Sequence, residues 1–114
     1  MLETKEKVNL DEVVKILVEK YSPIEKIFLF GSQARGDADE YSDLDLIVIK
    51  NTKERFVARL GAVPVLPVHA DVFVYTPKEF ETMKEHENPF ILSAMESAKV
   101  IYERKKIKTK NEKK

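Results

Sequence analysis

At 114 residues, with twenty basic and twenty acidic side chains in balance, the chain has room for one domain with a real core. It has no room for a catalytic domain plus a separate substrate-binding domain. The charge balance gives no basic surface of the kind tight nucleic-acid binding needs, and with no cysteine, no apolar run near the ~20 residues that cross a bilayer and no signal-peptide pattern, the expectation is a cytoplasmic chain that does not enter a membrane.

Leu10, Val13, Val14, Leu17 and Val18 recur at three-and-four spacing and predict a helix over Asn9 to Tyr21, with Asn9 as N-cap and Glu12 three residues on. Ser22-Pro23 ends it, because a residue before proline is biased away from helical dihedrals. The apolar run up to Phe30 predicts a buried first strand over Lys26 to Phe30. Gly31 to Gly36 turns the chain and opens a short helical segment, Asp37 to Ser42 reads as a polar loop, and Asp43 to Ile49 reads as the second strand. Thr52 to Leu60 predicts a short helix, and Gly61 to Pro67 a loop broken by Pro64 and Pro67. A third strand follows over Val68 to Tyr75. Thr76-Pro77 and Asn88-Pro89 each look like an N-cap followed by proline at the first helical position, opening helices to about Glu85 and Ala98. Val100-Ile101-Tyr102 would add an edge strand. These elements predict an α+β, two-layer domain over 1–103, a small mixed sheet with helices packed mainly on one face, and a basic tail over 104–114 without apolar periodicity.

The chemistry gathers at Gly31-Ser32-Gln33-Ala34-Arg35-Gly36 and Ser42-Asp43-Leu44-Asp45-Leu46. Side chains alternate faces along a strand, so Asp43 and Asp45 point the same way, spaced to share one cation or bracket two. Mg²⁺ suits them, being a hard cation that takes oxygen ligands and completes its shell with water and substrate phosphates. Gly31 lets the backbone approach a triphosphate, while the Ser32 hydroxyl and the amides of the turn can donate to phosphate oxygens. Arg35 could add a charged fork to the phosphates or brace the acidic loop through Asp37 or Asp39. Asp71, inside the apolar run Val68 to Val74, needs a partner if buried; it is either a third metal ligand beside Asp43 and Asp45 or an edge-strand residue facing water.

The glycine-serine turn, the Ser42-Asp43-Leu44-Asp45-Leu46 run and the order of the elements resemble the DNA polymerase β-like nucleotidyltransferase superfamily and, within it, the minimal nucleotidyltransferases. The resemblance is strong over Ile27 to Ile49 and reaches Asp71. It implies that Gly31 and Ser32, with Arg35 as a further candidate, hold the phosphates of ATP, and that Asp43, Asp45 and Asp71 bind two Mg²⁺ ions and carry catalysis. The implied reaction is in-line attack of a hydroxyl on the α-phosphorus with pyrophosphate leaving. Such proteins are commonly paired with a small helical HEPN-domain RNase toxin and act as antitoxins by moving AMP from ATP to the toxin. Two other roles compete: a non-catalytic module that neutralises its partner by binding, and a nucleotidyl-transfer subunit that acts on a small molecule with a separate substrate-binding chain. A homo- or hetero-oligomer is compatible with any of them.

His69 shares the Asp71 face of the third strand and could join the site as a ligand or proton carrier, but it is read as a packing or hydrogen-bonded histidine, since a carboxylate triad suffices for this chemistry. His86 is read as surface. Phe28, Phe30, Phe73 and Phe80 are assigned to core. Ser42 is expected to turn the backbone into the strand, and Asp37, Asp39 and Glu40 to stay solvated, because free carboxylates would repel a triphosphate.

Overall fold

A computed structural model describes residues 9–36 and 43–104. The element order is α1 (Leu10–Lys20), β1 (Ile24–Phe30), α2 (Ser32–Arg35), β2 (Leu44–Lys50), α3 (Phe56–Gly61), β3 (Ala70–Tyr75), α4 (Pro77–Glu85), α5 (Pro89–Ser97) and β4 (Lys99–Glu103). The strands form one mixed sheet in the order β3-β2-β1-β4. β1 pairs antiparallel with β2 and with β4, while β2 and β3 run parallel.

Local signals set the helix ends. The Asn9 side chain accepts from the Glu12 amide at 3.1 Å. Thr76 and Glu79 close a reciprocal capping box at the start of α4, and the Asn88 side chain accepts from the Phe90 and Ile91 amides. Proline occupies the first position of both α4 and α5, where its missing N–H would be unpaired in any case.

The α+β class and the mixed sheet match the expectation, and the distribution of the helices refines it. One core cluster joins Val13 and Leu17 of α1 to Ile27, Leu29, Leu44, Leu46, Val48 and Val74. A second joins Phe80 of α4 and Ile91 and Ala94 of α5 to Phe28, Phe30, Ile47 and Ile49. Helices therefore cover both faces, not mainly one. The physical reason is visible in β1 and β2: a strand buried on both sides is apolar at nearly every position instead of at alternate ones, and β2 is buried at six of its seven residues.

Most boundaries move by a few residues. β1 begins at Ile24 rather than Lys26, β2 spans Leu44–Lys50, α3 begins at Phe56 rather than Thr52, and β3 begins at Ala70 rather than Val68. β4 forms at the sheet edge as expected. Phe28, Phe30 and Phe80 are buried, and Phe73 is partly buried against their cluster. The expected loop over 37–42, including Ser42, and the tail beyond 104 lie outside the described residues. No described helix is long and apolar enough to cross a membrane.

Candidate active site

Topology brings the sequence candidates to one end of the sheet. β1 runs antiparallel to β2, so the end of β1 lies at the beginning of β2, with Phe30 opposite Asp45. β3 runs parallel to β2, so its beginning lies there too, with Asp71 opposite Asp45. Asp45 and Asp71 are thus nearest neighbours across two parallel strands, about 4.8 Å apart along the hydrogen-bonding direction. Both sit on the sheet face that α4 and α5 cover, in phase with Ile47 and Ile49 on β2 and with Phe73 and Tyr75 on β3. Asp43 precedes β2 by one residue and is exposed; Asp71 is exposed and Asp45 half-buried.

Asp45 is the carboxylate under electrostatic stress. Burial pushes its carboxyl above the usual range, and the charges of Asp71 and Asp43 push it further the same way. Among the described residues no three His, Cys, Asp or Glu side chains are already gathered in the form of a coordination cluster. The donor set is nevertheless all oxygen, which fits a hard divalent ion.

Gly31 is held on two sides. Its φ of 79° and ψ of −157° belong to a region open essentially to glycine alone, and a Cβ built there would collide with Asp45 Oδ2. The glycine is therefore needed because the carboxylate of β2 lies against it, a reason that its spacing in the sequence does not reveal. On its other side the Gly31 amide donates to Ser97 Oγ at 3.3 Å. The chain then enters α2, where the Arg35 amide donates to the Gly31 carbonyl and the Gly36 amide to the Ser32 carbonyl, both at 3.0 Å. Gly36 ends the turn in the left-handed conformation.

The remaining candidates separate. Arg35 is exposed on α2 beside Ser97 and Lys99. His69 lies just outside β3 and is exposed, so its side chain does not pack in the core as the packing reading expected; its backbone carbonyl accepts from the Leu44 amide at 3.0 Å and helps align β3 with β2. His86 caps the end of α4 at the surface. Ser97 is the contact that sequence reasoning missed. It stands 66 positions from Gly31, and no periodicity links the two.

An α+β sheet that holds a glycine-serine turn and a row of carboxylates at one end defines a domain of the nucleotidyltransferase type. Residues 10–114 match the family model described as the nucleotidyltransferase domain, and the chain belongs to that family. Two proteins of Methanocaldococcus jannaschii, both named as candidate protein adenylyltransferases, are similar to it. MJ1305 is 32% identical over 105 residues, spanning 83% of this chain and 70% of that protein. MJ0604 is 31% identical over 94 residues, spanning 82% of this chain and 94% of that protein. A solved structure titled as a toxin-antitoxin with AMP-PNP shares the fold at a TM-score of 0.61 and 18% identity, over 86% of this chain and 76% of that one.

Proposed function

We propose that this nucleotidyltransferase moves AMP from ATP to a hydroxyl of a partner protein, and that it serves as the antitoxin of a small helical HEPN-type RNase toxin. The observation that carries the reading is the Asp45–Asp71 pair in register beside a glycine turn that Asp45 itself shapes. The names of the two Methanocaldococcus relatives favour a protein acceptor, and the toxin-antitoxin title of the structural neighbour favours the paired role. A cytoplasmic site of action follows from the need for ATP.

In this reading Gly31 and Ser32 position the phosphate chain, and Asp43, Asp45 and Asp71 would hold Mg²⁺. The ions would supply charge neutralisation for the α-phosphoryl and leaving oxygens. Asp71, exposed on the outermost strand of the row, would help activate the attacking hydroxyl. The acceptor oxygen would form a bond to the α-phosphorus as the bond from that phosphorus to the α,β-bridging oxygen breaks, and the hydroxyl proton would pass to the Asp71 carboxylate. Pyrophosphate is the leaving group.

Incubation of the chain with Mg²⁺, ATP and its helical partner should add the mass of AMP to the partner, read by intact-mass spectrometry. Asp43→Asn and Asp45→Asn should each abolish that increment. Labelling that persists in both variants removes the carboxylate assignment, and neutralisation of the partner without any increment favours capture over catalysis.

A further inference from the structure

The connection between β2 and β3 leaves apolar surface uncovered. Among the described residues six large apolar side chains stay exposed, and four of them fall here: Phe56 at 40%, Leu60 at 41%, Val57 at 79% and Val65 at 92%. Phe56, Val57 and Leu60 share one side of α3, while Arg59 turns inward and is buried. Phe56 stacks on Tyr75 with 5.9 Å between ring centroids, and with Met83 and Lys78 these rings line a groove of about 540 Å³ between α3 and α4. Beside it β3 is the outermost strand, paired with β2 alone among the described residues. Because β2 and β3 are parallel, the chain must return from the end of one to the start of the other. The apolar row therefore runs from the groove toward the end of β3 that carries Asp71. Tyr75 shares the sheet face of Asp71 at the opposite end of β3, about 13 Å along the strand.

A contiguous exposed apolar row marks a surface that another chain covers, and the charges at its rim select the occupant. Arg55, immediately before Phe56, and Lys78 in the groove are exposed, and neither forms an ion pair among the described residues. The nearby carboxylates are engaged: Glu79 pairs with Arg59 and Glu81 with Lys84, while the charge of Glu54 acts inward on Lys50 and Arg59. A second copy laid on the same surface would bring these cations together near the two-fold axis, at a like-charge cost. A partner with acidic residues meets no such cost, and a groove between two helices suits an amphipathic helix laid in with its apolar side down. We propose that this surface docks an amphipathic helix of the protein that accepts AMP, apolar toward Phe56, Val57 and Leu60 and acidic toward Arg55 and Lys78, and so brings the acceptor hydroxyl to Asp71. The proposal rests on the transferase reading above and adds to it the place where the acceptor protein is held. Contacts this far from the reacting atoms serve to hold and orient the acceptor, so their loss falls on its binding and not on the chemical step.

Val57 and Lys78 are exposed and belong to neither core cluster, so Val57→Asp and Lys78→Glu leave the fold intact. Calorimetric titration of the full chain with its helical partner, and transfer kinetics with ATP and Mg²⁺, measure the effect. Each substitution should weaken partner affinity by about tenfold, the scale of one interface anchor or one reversed rim charge. KM for the partner should rise by a similar factor, while kcat and the affinity for ATP stay within about twofold. Lys78→Arg, which keeps the charge, should bind the partner as the wild type does. Val57→p-benzoylphenylalanine should crosslink to the partner on illumination, with the link found by mass spectrometry in a helix that carries acidic residues. Partner affinity unchanged in both Val57→Asp and Lys78→Glu overturns the groove while the transferase reading stands. A link to an extended or basic segment overturns the assigned occupant, as does a chain that dimerises alone and loses its dimer on Val57→Asp. A partner that binds the wild type tightly and gains no AMP overturns the transferase reading, and the titrations then decide the groove by themselves.

Discussion

Gly31 shows how one residue of the candidate site can be fixed twice over by the fold. Its backbone conformation costs a side-chain-bearing residue about 1–3 kcal/mol, and the space a Cβ would fill is taken by the Asp45 carboxylate. Gly31→Ala therefore strains the turn and displaces the most burdened carboxylate in one step. The expected result is a Tm lower by several degrees and loss of ATP affinity. Ser32→Ala, which leaves the backbone alone, should weaken ATP and leave the Tm near that of the wild type. Thermal melts with and without Mg²⁺ and ATP separate the two; a Gly31→Ala protein that melts and binds as the wild type does would contradict the packing of Asp45 against the turn. The motif spacing predicted a glycine for the ligand's sake. The register of β1 on β2 adds a second reason, and only a paired sheet could supply it.

At the scale of elements, the other end of the sheet carries a polar cluster that secures α1, α3 and α4. The buried Arg59 guanidinium pairs with both carboxylate oxygens of Glu79, at 2.7 and 2.9 Å, and donates to the Glu54 and Val74 carbonyls. Tyr21 donates to the Arg59 carbonyl at 2.7 Å, and buried Lys50 donates to the Tyr21 and Ser22 carbonyls at 2.6 and 2.9 Å. Glu79 also accepts from the Thr76 amide, so a single carboxylate caps α4 and neutralises α3. Glu79→Gln keeps the cap and removes the charge. Because the Glu79 side chain is 43% exposed, the expected loss is about 1–3 kcal/mol, short of the cost of stripping a fully buried pair. Chemical denaturation measures it, and an unchanged midpoint would show that Arg59 is satisfied by its carbonyls alone. The cap signals Asn9, Thr76-Pro77 and Asn88-Pro89 were legible because they act within one turn of chain. Arg59 and Lys50 were not, because a basic residue in a short amphipathic stretch reads as solvated until distant carbonyls are found around it. The covering of both sheet faces was present in the continuous Ile27 to Phe30 and Leu44 to Ile49 runs, but which helix covers which face depends on connections that local periodicity does not encode.

For the molecule as a whole, the two ends of the sheet respond to pH in opposite directions. The Arg59 hydrogen bond leads the effects that hold the Glu79 carboxyl below its ordinary range, so its stabilisation is present above the unfolded value and is lost as pH falls through the folded one. Burial, then Asp71 and Asp43, hold the Asp45 carboxyl above its range, so the stability it contributes is full in acid and is lost as pH rises through its folded value. At neutral pH the candidate site thus lowers the stability of the fold, and a divalent cation held by these carboxylates should restore it. Mg²⁺ with ATP at a hundredfold excess over Kd should add about 2.7 kcal/mol, a Tm gain of roughly 10–20 °C for a domain of this size. EDTA should remove that gain. Asp45→Asn should melt higher than the wild type without ligand at pH 7, because the repulsion is gone, and should gain little from Mg²⁺ and ATP, because a ligand is gone as well. An Asp45→Asn protein that melts lower than the wild type without ligand, or that keeps the full ligand-induced gain, would place the cation elsewhere and leave Asp45 as a structural neighbour of Gly31.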